Sequence, residues 1–201
     1  MPRGELDYSK LTDQEVVAQA RAGRETAYRE LIGRYERPVF SIIYRLVRDR
    51  ELAEDLAQDT FIKVLNALDR YDPKQKFSSW IFKIAHNTAI DRLRKREVDT
   101  LSLDGSPNAR TADDVEATRI VVASTEESPE EYAASREIGT EIERALARLR
   151  PEYRTAIMLW HIEDRPYEEI AEIMEIPLGT VKTFIHRARN ELRKHLAHLR
   201  A

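Results

Sequence analysis

Apolar positions along this chain return at steps of three and four, the spacing of a helical face. In "ELAEDLAQDTFIKVLNAL", apolar residues such as Leu52, Leu56, Phe61, Val64, Leu65 and Leu68 recur at such steps. The same period runs through "ETAYRELIGRY", "PVFSIIYRLVRD" and "SSWIFKIAHNTAIDRLRKR". No stretch alternates apolar and polar residues convincingly, so no strand is expected. End signals agree with this pattern. Thr12 followed by Glu15 is a capping box, Leu11 can staple onto Val16, and Gly23 offers a stop. Ser128, Pro129 and Glu131 supply a cap, a first helical position and an acidic third position, and another helix begins at Pro151.

The periodicity lapses between residues 97 and 128. "EVDTLSLDGSPNARTADDVEATRIVVASTEES" mixes Ser, Thr, Asp, Gly and Pro around one short β-branched run, which predicts a flexible connector. The chain therefore divides into an N-terminal helical lobe at 1–96, a linker at 97–128 and a C-terminal helical lobe at 129–201. Charge sharpens that division. Lys and Arg number 19 against 15 Asp and Glu in residues 1–96, 2 against 10 in 97–135, and 12 against 11 in 136–201. The formal charge of −3 is thus a property of the middle, and from Pro177 onward 6 basic residues face 1 acidic residue. Both ends can meet phosphate while the centre repels it.

At 201 residues with 42% apolar and 34% charged side chains, the chain can bury one moderate core or two small ones. It has no cysteine, which excludes disulfides and thiolate metal sites and fits a reducing interior. Apolar runs such as "AIMLW" are too short to cross a bilayer, and "MPRGELDYSK" lacks the apolar core of a signal peptide. A soluble cytoplasmic protein without membrane insertion is expected.

"YEEIAEIMEIPLGTVKTFIHRARNELRKHL" contains two short amphipathic helices joined by a tight turn. Ile170, Ile173 and Met174 share a face of the first, with Ala171 small enough for close helix approach. Pro177 opens the second, whose stripe is Val181, Ile185, Ala188 and Leu192. Lys182, Thr183, His186, Arg187 and Asn190 are left on the opposite face. This is a helix-turn-helix pattern: the second helix would lie in the major groove, Lys and Arg can bond guanine edges, and amides around Gly179 and Thr180 can hold a phosphate. An ordinary solvated basic helix in a bundle would carry the same charges. Glu175 stands where such a turn often has Gly, at a cost of about 1 kcal/mol if its φ is positive.

In the N-terminal lobe, "KFSSWIFKIAHNTAIDRLRKR" interleaves Phe77, Trp80 and Phe82 with Lys76, Lys83, Arg92, Arg94, Lys95 and Arg96, beside Asn87 and Thr88. Aromatic faces, cations and an amide edge are what unstacked single-stranded bases need. Trp80 with Ile81, Ile84 and Ala85 also makes a normal core stripe.

Three motifs in this order, "ELAEDLAQDTFIKVLNAL", "FSSWIFKIAHNTAIDRLRKR" and "YEEIAEIMEIPLGTVKTFIHRAR", resemble the RNA polymerase sigma factors of the sigma-70 type. The likeness is to the small extracytoplasmic-function group, which has only domains two and four, and it covers residues 12–96 and 130–196. It implies an all-α fold of two small helical domains on a flexible acidic linker. Domain two would be residues 1–96 and the helix-turn-helix domain four residues 129–201. No catalytic residue, cofactor or metal is implied.

The resemblance also implies partners and site residues. Asp55, Gln58 and Asp59, with Phe61 and Ile62, would dock on the clamp helices of the largest subunit of core RNA polymerase, whose flap region is a further contact. A solvated acidic face is the plain alternative. "YDPKQKF" resembles the loop that receives a base flipped from the minus-ten element, with Asn87 its reader and Tyr71, Lys74, Lys76, Trp80, Lys83 and Arg92 around it. Flipping costs a few kcal/mol of stacking that the loop must offset. Gly179, Thr180, Lys182, Thr183, His186 and Arg187 match the face that reads the minus-thirty-five element as duplex. Phe184 departs from the pattern, since many members carry a basic residue there, and either extends the core or faces DNA. The linker would occupy the channel later used by nascent RNA, a role for Asp113, Asp114 and Glu116, although an acidic tether explains the same charges. An anti-sigma factor is a further implied partner.

Two other classes use some of these residues. A free-standing helix-turn-helix regulator would bind duplex tightly by itself, as a dimer with half-sites a helical turn apart. An all-helical enzyme is the weaker reading, because no phosphate-binding, zinc-protease or nucleotide fingerprint occurs. His195 and His198 lie three apart, as two metal ligands would, yet sit at a basic terminus where the solvated reading wins.

Overall fold

The computed structural model describes residues 7–103 and 129–200, with side chains for 7–96 and 136–199. In the N-terminal lobe a 3-10 turn at Tyr8–Lys10 leads into α1 (Asp13–Arg21), α2 (Glu25–Val47) and α3 (Arg50–Ala67), and a second 3-10 turn at Leu68–Arg70 precedes α4 (Phe77–Leu103). The C-terminal lobe holds α5 (Pro129–Arg148), α6 (Pro151–His161), α7 (Tyr167–Met174) and α8 (Leu178–His195), closed by a 3-10 turn at Ala197–Arg200. The described residues contain no strand.

Local chemistry explains most of these boundaries. The Thr12 backbone N–H donates to Glu15 Oε2 at 2.7 Å, and the Thr12 side chain accepts from the Glu15 N–H, so two orphan donors at the start of α1 are satisfied reciprocally. Gly23, at φ 79°, turns the chain after α1 and donates its N–H to Ala20 O at 2.8 Å. Asp49 caps α3 by accepting the Leu52 N–H at 3.1 Å.

One helix joins two of the periodic stretches, and one boundary differs from the sequence expectation. "ETAYRELIGRY" and "PVFSIIYRLVRD" form one helix, α2, with Pro38 inside it. A mid-helix proline removes one hydrogen bond and crowds the preceding turn. Here Leu31, Tyr35, Val39, Ile42, Ile43 and Leu46 bury a continuous stripe on both sides of Pro38, and that burial outweighs the lost bond. In addition, α4 runs on to Leu103, so residues 97–103 are helical backbone rather than connector. The remainder of the expected linker, including Asp113, Asp114 and Glu116, lies outside the described residues.

The two lobes pack together. Val16, Ile42, Ile43, Phe77, Ile81 and Phe82 fill the first core, Met158, Leu159, Ile170, Ile173, Val181 and Ile185 the second, and they belong to one contiguous buried cluster. The join runs along α4 against α7 and α2 against α6. At its centre is Arg154 of α6. Its guanidinium donates to Leu146 O (2.8 Å), Ala147 O (2.7 Å) and Leu149 O (2.8 Å) at the end of α5, and to Arg45 O (2.7 Å) at the end of α2. Helix C-termini leave carbonyls without intrahelical partners and carry partial negative charge, so one cation closes two helix ends at once. Burial, aided by the Arg48 charge and opposed by Glu143, pulls the Arg154 pKa down to about 10, which still leaves it charged at neutral pH.

Arg154→Met keeps the stem and removes every donor. Because several buried carbonyls then lack partners, it should lower the unfolding free energy by about 3 kcal/mol. A urea midpoint unchanged from the parent chain would show that these bonds contribute nothing net.

Candidate nucleic-acid interface

α8 forms because Pro177 fixes the entry and Val181, Ile185 and Ala188 bury one stripe against the lobe core. Lys182, Thr183, His186 and Arg187 are exposed on the other side, together with Gly179. Thr183 Oγ1 donates back to Gly179 O at 2.9 Å, and Asn190 Nδ2 lies 3.4 Å from His186 Nδ1. The Thr180 N–H is already bonded to Pro177 O at 2.8 Å, so its side chain, half-buried, is what Thr180 offers. Phe184 is half-buried and its ring sits 5.2 Å from that of Tyr153, which makes it an extension of the core. The Tyr153 hydroxyl in turn accepts from Arg187 Nη1 at 2.9 Å. That bond raises the Arg187 pKa further and holds the guanidinium in place. Nothing in the spacing of the sequence pointed to Tyr153, because it lies on α6.

The α4 set is arranged differently. Tyr71 is 2% exposed and packs its ring on Phe77 and Trp80, while Arg21 donates to Leu68 O (2.9 Å), Asp69 O (3.1 Å) and Tyr71 O. Tyr71 thus supports the 71–77 loop from beneath instead of offering its face. Trp80 is half-buried in the same aromatic cluster, serving the core stripe. Lys74 and Arg92 are exposed. Lys76, Lys83 and Asn87 lie along the side of α4 that meets α7, and each is bonded to a carboxylate there. Lys76 Nζ pairs with Glu169 Oε1, Lys83 Nζ lies 2.8 Å from Glu175 Oε1, and Asn87 Nδ2 donates to Glu175 Oε2 at 3.2 Å. Ser79 Oγ donates to Glu169 Oε2 at 3.0 Å, and Arg165 reaches from the C-terminal lobe to Ser78 Oγ at 2.8 Å.

Burial by itself would raise the Glu169 carboxyl, but hydrogen bonds from Lys76 and Ser79 and the nearby charges of Lys76 and Arg165 hold it below its ordinary value. Glu175 is held low by hydrogen bonds from Lys83 and Asn87 and by the Lys83 charge. Glu175 also sits at φ 55°, ψ 43°, the left-handed geometry anticipated for that turn position. One turn along α4, His86 is 7% exposed, and burial, aided by the Arg94 charge, depresses its pKa to about 4. Glu175, Glu152 and Asp91 also face it and act the other way.

On α3, Asp55, Gln58 and Asp59 are exposed in a row with Ile62, which leaves 56% of its surface in solvent, while Phe61 is half-buried. An acidic row edged by an exposed isoleucine is a surface with both charge and apolar area to offer a partner.

These features define a two-lobed helical protein with an exposed basic helix face in one lobe and an aromatic-basic helix in the other. Residues 31–98 match Sigma-70 region 2, and residues 139–192 match Sigma-70, region 4. The chain is 33% identical over 186 residues to the ECF RNA polymerase sigma factor SigW of Bacillus subtilis (strain 168), covering 91% of this chain and 96% of that one. It is 33% identical over 184 residues to the RNA polymerase sigma-H factor of Pseudomonas aeruginosa, covering 92% and 93%. Its fold is similar to that of the sigma factor RpoE from Bartonella quintana, solved with the anti-sigma factor NepR, at a TM-score of 0.67 and 25% identity over 85% of this chain and 96% of that one. The chain belongs to the sigma-70 family, in its extracytoplasmic-function group. It is a specificity subunit of RNA polymerase that directs transcription initiation, and not an enzyme.

Two measurements follow from the geometry. Tyr153→Phe keeps the ring under Phe184 but frees Arg187, so exchange of the Arg187 guanidinium protons with solvent should quicken; equal exchange in both chains would mean that the hydroxyl does not hold Arg187. His86 takes up its proton near 6.5 when unfolded and near 4 when folded. The unfolded chain therefore binds more protons between those values, and its stability should drop by about 1.4 kcal/mol per unit as pH falls through that window. Half-buried Glu163, whose carboxyl is raised by its partial burial, opposes this, so the diagnostic is the difference from His86→Leu, whose urea midpoints should vary less between about pH 7 and about pH 5.

Proposed function

We propose that the two lobes divide promoter recognition between paired and separated DNA. Domain four, residues 129–201, reads the minus-thirty-five element with the outer face of α8: Lys182, Thr183, His186 and Arg187 toward base edges, Gly179 and Thr180 toward phosphate. Domain two, residues 1–96, captures the opened minus-ten strand on α4 and the 71–77 loop. Asn87 is the edge reader there, Lys74, Lys76, Lys83 and Arg92 neutralise phosphate, and Tyr71 and Trp80 brace the loop. The α3 row of Asp55, Gln58, Asp59, Phe61 and Ile62 docks on the polymerase clamp helices.

The observation that carries this reading is the division of α8. Val181, Ile185 and Ala188 are all within 1% of full burial, whereas its cationic and hydrogen-bonding residues stand exposed on one continuous face. A helix serving only as packing has no need to gather donors there. Control by an anti-sigma factor is part of the proposal. It is supported by relatives such as the Bartonella RpoE, solved with NepR, and a cytoplasmic location follows from polymerase as partner. Among the described residues no helix is long and apolar enough to cross a membrane.

Reconstitution with core polymerase on a genomic fragment library gives the test. Arg187→Ala should lose about 1 to 3 kcal/mol of discrimination at one upstream base pair if its contact is bidentate. Asn87→Ala should leave upstream binding intact and relax downstream choice. Uniform loss across all promoters from either change would make these residues phosphate anchors instead of base readers. Tight duplex binding by the chain without polymerase would favour the free-standing regulator.

A further inference from the structure

α6 carries an aromatic residue near each of its ends, and each one holds an arginine of α8. Tyr153 is 5% exposed; its ring meets that of Phe184 at 5.2 Å, Arg150 lies 5.5 Å over it, and its hydroxyl accepts from Arg187 Nη1 at 2.9 Å. Trp160 is half-buried, stacked on His161 at 5.3 Å and edged by Tyr167 at 6.2 Å, and the Arg189 guanidinium lies 4.7 Å over its ring. Both arginines are exposed. At helical spacing they leave α8 on opposite sides of the buried stripe of Val181, Ile185 and Ala188, Arg187 on the side of Phe184 and Arg189 on the other.

The two ways of holding differ in what they leave free. A hydroxyl bond at Nη1 fixes the direction of the guanidinium plane, and the parallel Nε–H and Nη2–H edge remains for a pair of acceptors. Guanine O6 and N7 are such a pair, and reading them demands two aligned donors. A guanidinium laid on an aromatic face keeps its donors pointing outward in its plane and can turn over the ring. It suits an acceptor approached from a range of directions, as a phosphate oxygen is. Position agrees. Arg187 borders Thr183, His186 and Asn190 on the outer face of α8, whereas Arg189 stands at the flank, four residues before Arg193, where a helix seated in the major groove meets the backbone wall. Glu191 also acts on Arg187 by its charge, and its spacing puts it on the Phe184 flank, so it draws the guanidinium toward the hydroxyl.

We propose that α6 sorts the two arginines: Tyr153 positions Arg187 to read a base edge, and Trp160 positions Arg189 to anchor a backbone phosphate. Both aromatics act through the arginine each holds, so they are positioning residues. Holding an exposed arginine beforehand matters because its side chain loses freedom on binding, and one already in place loses less. Selectivity and sequence-independent affinity are then set from opposite ends of one helix lying behind α8. This inference rests on the assignment of the outer face of α8 to duplex DNA, and the experiment separates the two.

The full chain is reconstituted with core polymerase. Binding is measured on the promoter fragment it retains best from a genomic library, on single-base-pair variants of the upstream element, and across a salt series. Tyr153→Phe keeps the ring and should cut the preference at one upstream base pair about threefold to tenfold, with the salt dependence unchanged. Added to Arg187→Ala, the same change should do nothing further. Arg189→Gln, at an exposed position, should weaken binding to every variant alike and lower the slope of log affinity against log salt by about 0.9. Trp160→Leu keeps an apolar filler and should weaken all variants about threefold, Trp160→Phe should recover most of that, and neither should add to Arg189→Gln. Unchanged base preference in Tyr153→Phe, or a loss from Trp160→Leu that adds fully to that of Arg189→Gln, overturns the proposal. In that case, if Arg187→Ala still relaxes one base pair and Arg189→Gln still lowers the slope, the duplex assignment stands and only the sorting is lost. If neither does, the assignment of α8 is lost with it.

Discussion

A single buried cation sits where this structure would otherwise come apart. α2 and α5 both end against Arg154 of α6, and each helix end presents carbonyl oxygens to it. Arg154 is 6% exposed and gives its donors to both ends, at Arg45 in one lobe and at Leu146, Ala147 and Leu149 in the other. Removing a charge from water is costly unless its donors are used, and here they are used on groups that themselves need partners. Arg45 repeats the theme from the opposite side: its side chain is 1% exposed and its Nε donates to Glu143 of α5 at 3.0 Å. Apolar packing supplies the area of the join, while these directional bonds select one way for the lobes to meet.

That selection has a consequence for the faces that meet nucleic acid. With α6 pinned to the end of α2, α7 lies along α4, and Glu169 and Glu175 point toward Lys76, Lys83 and Asn87. Arg165 reinforces the same contact by bonding Ser78 and lying 5.1 Å over the Phe82 ring. α8 packs on α6 and turns its cations outward. Individually, the exposed ion pairs of the join are weak and screened by salt. The arrangement is therefore one that binding to a large partner surface can exchange for another, in a way that a fully apolar join of the same area would resist.

Much of the local structure was legible in the sequence. The Thr12–Glu15 box, the Gly23 stop and the prolines that open α5 and α6 all stand where the pattern put them, because capping and turn chemistry involve residues within one turn of each other. The stripe on α8 was legible for the same reason. Pro38 is a local breaker signal that α2 runs through, since the distant helices that bury both its flanks are not registered in the local sequence. Tyr153, Ser79 and Arg165 escaped notice because each acts on a residue tens of positions away.

The sequence by itself determined that the chain is helical, where its helices start, that its charge is segregated, and which family its motifs belong to, because these depend on short-range periodicity and composition. Only the tertiary structure decided that Phe184 belongs to the core, that Tyr71 supports its loop from below, and that the two lobes meet through Arg154 with Glu169 and Glu175 against α4. Those outcomes turn on contacts between residues up to 109 positions apart, and the burial that makes each bond matter exists only once the helices are packed.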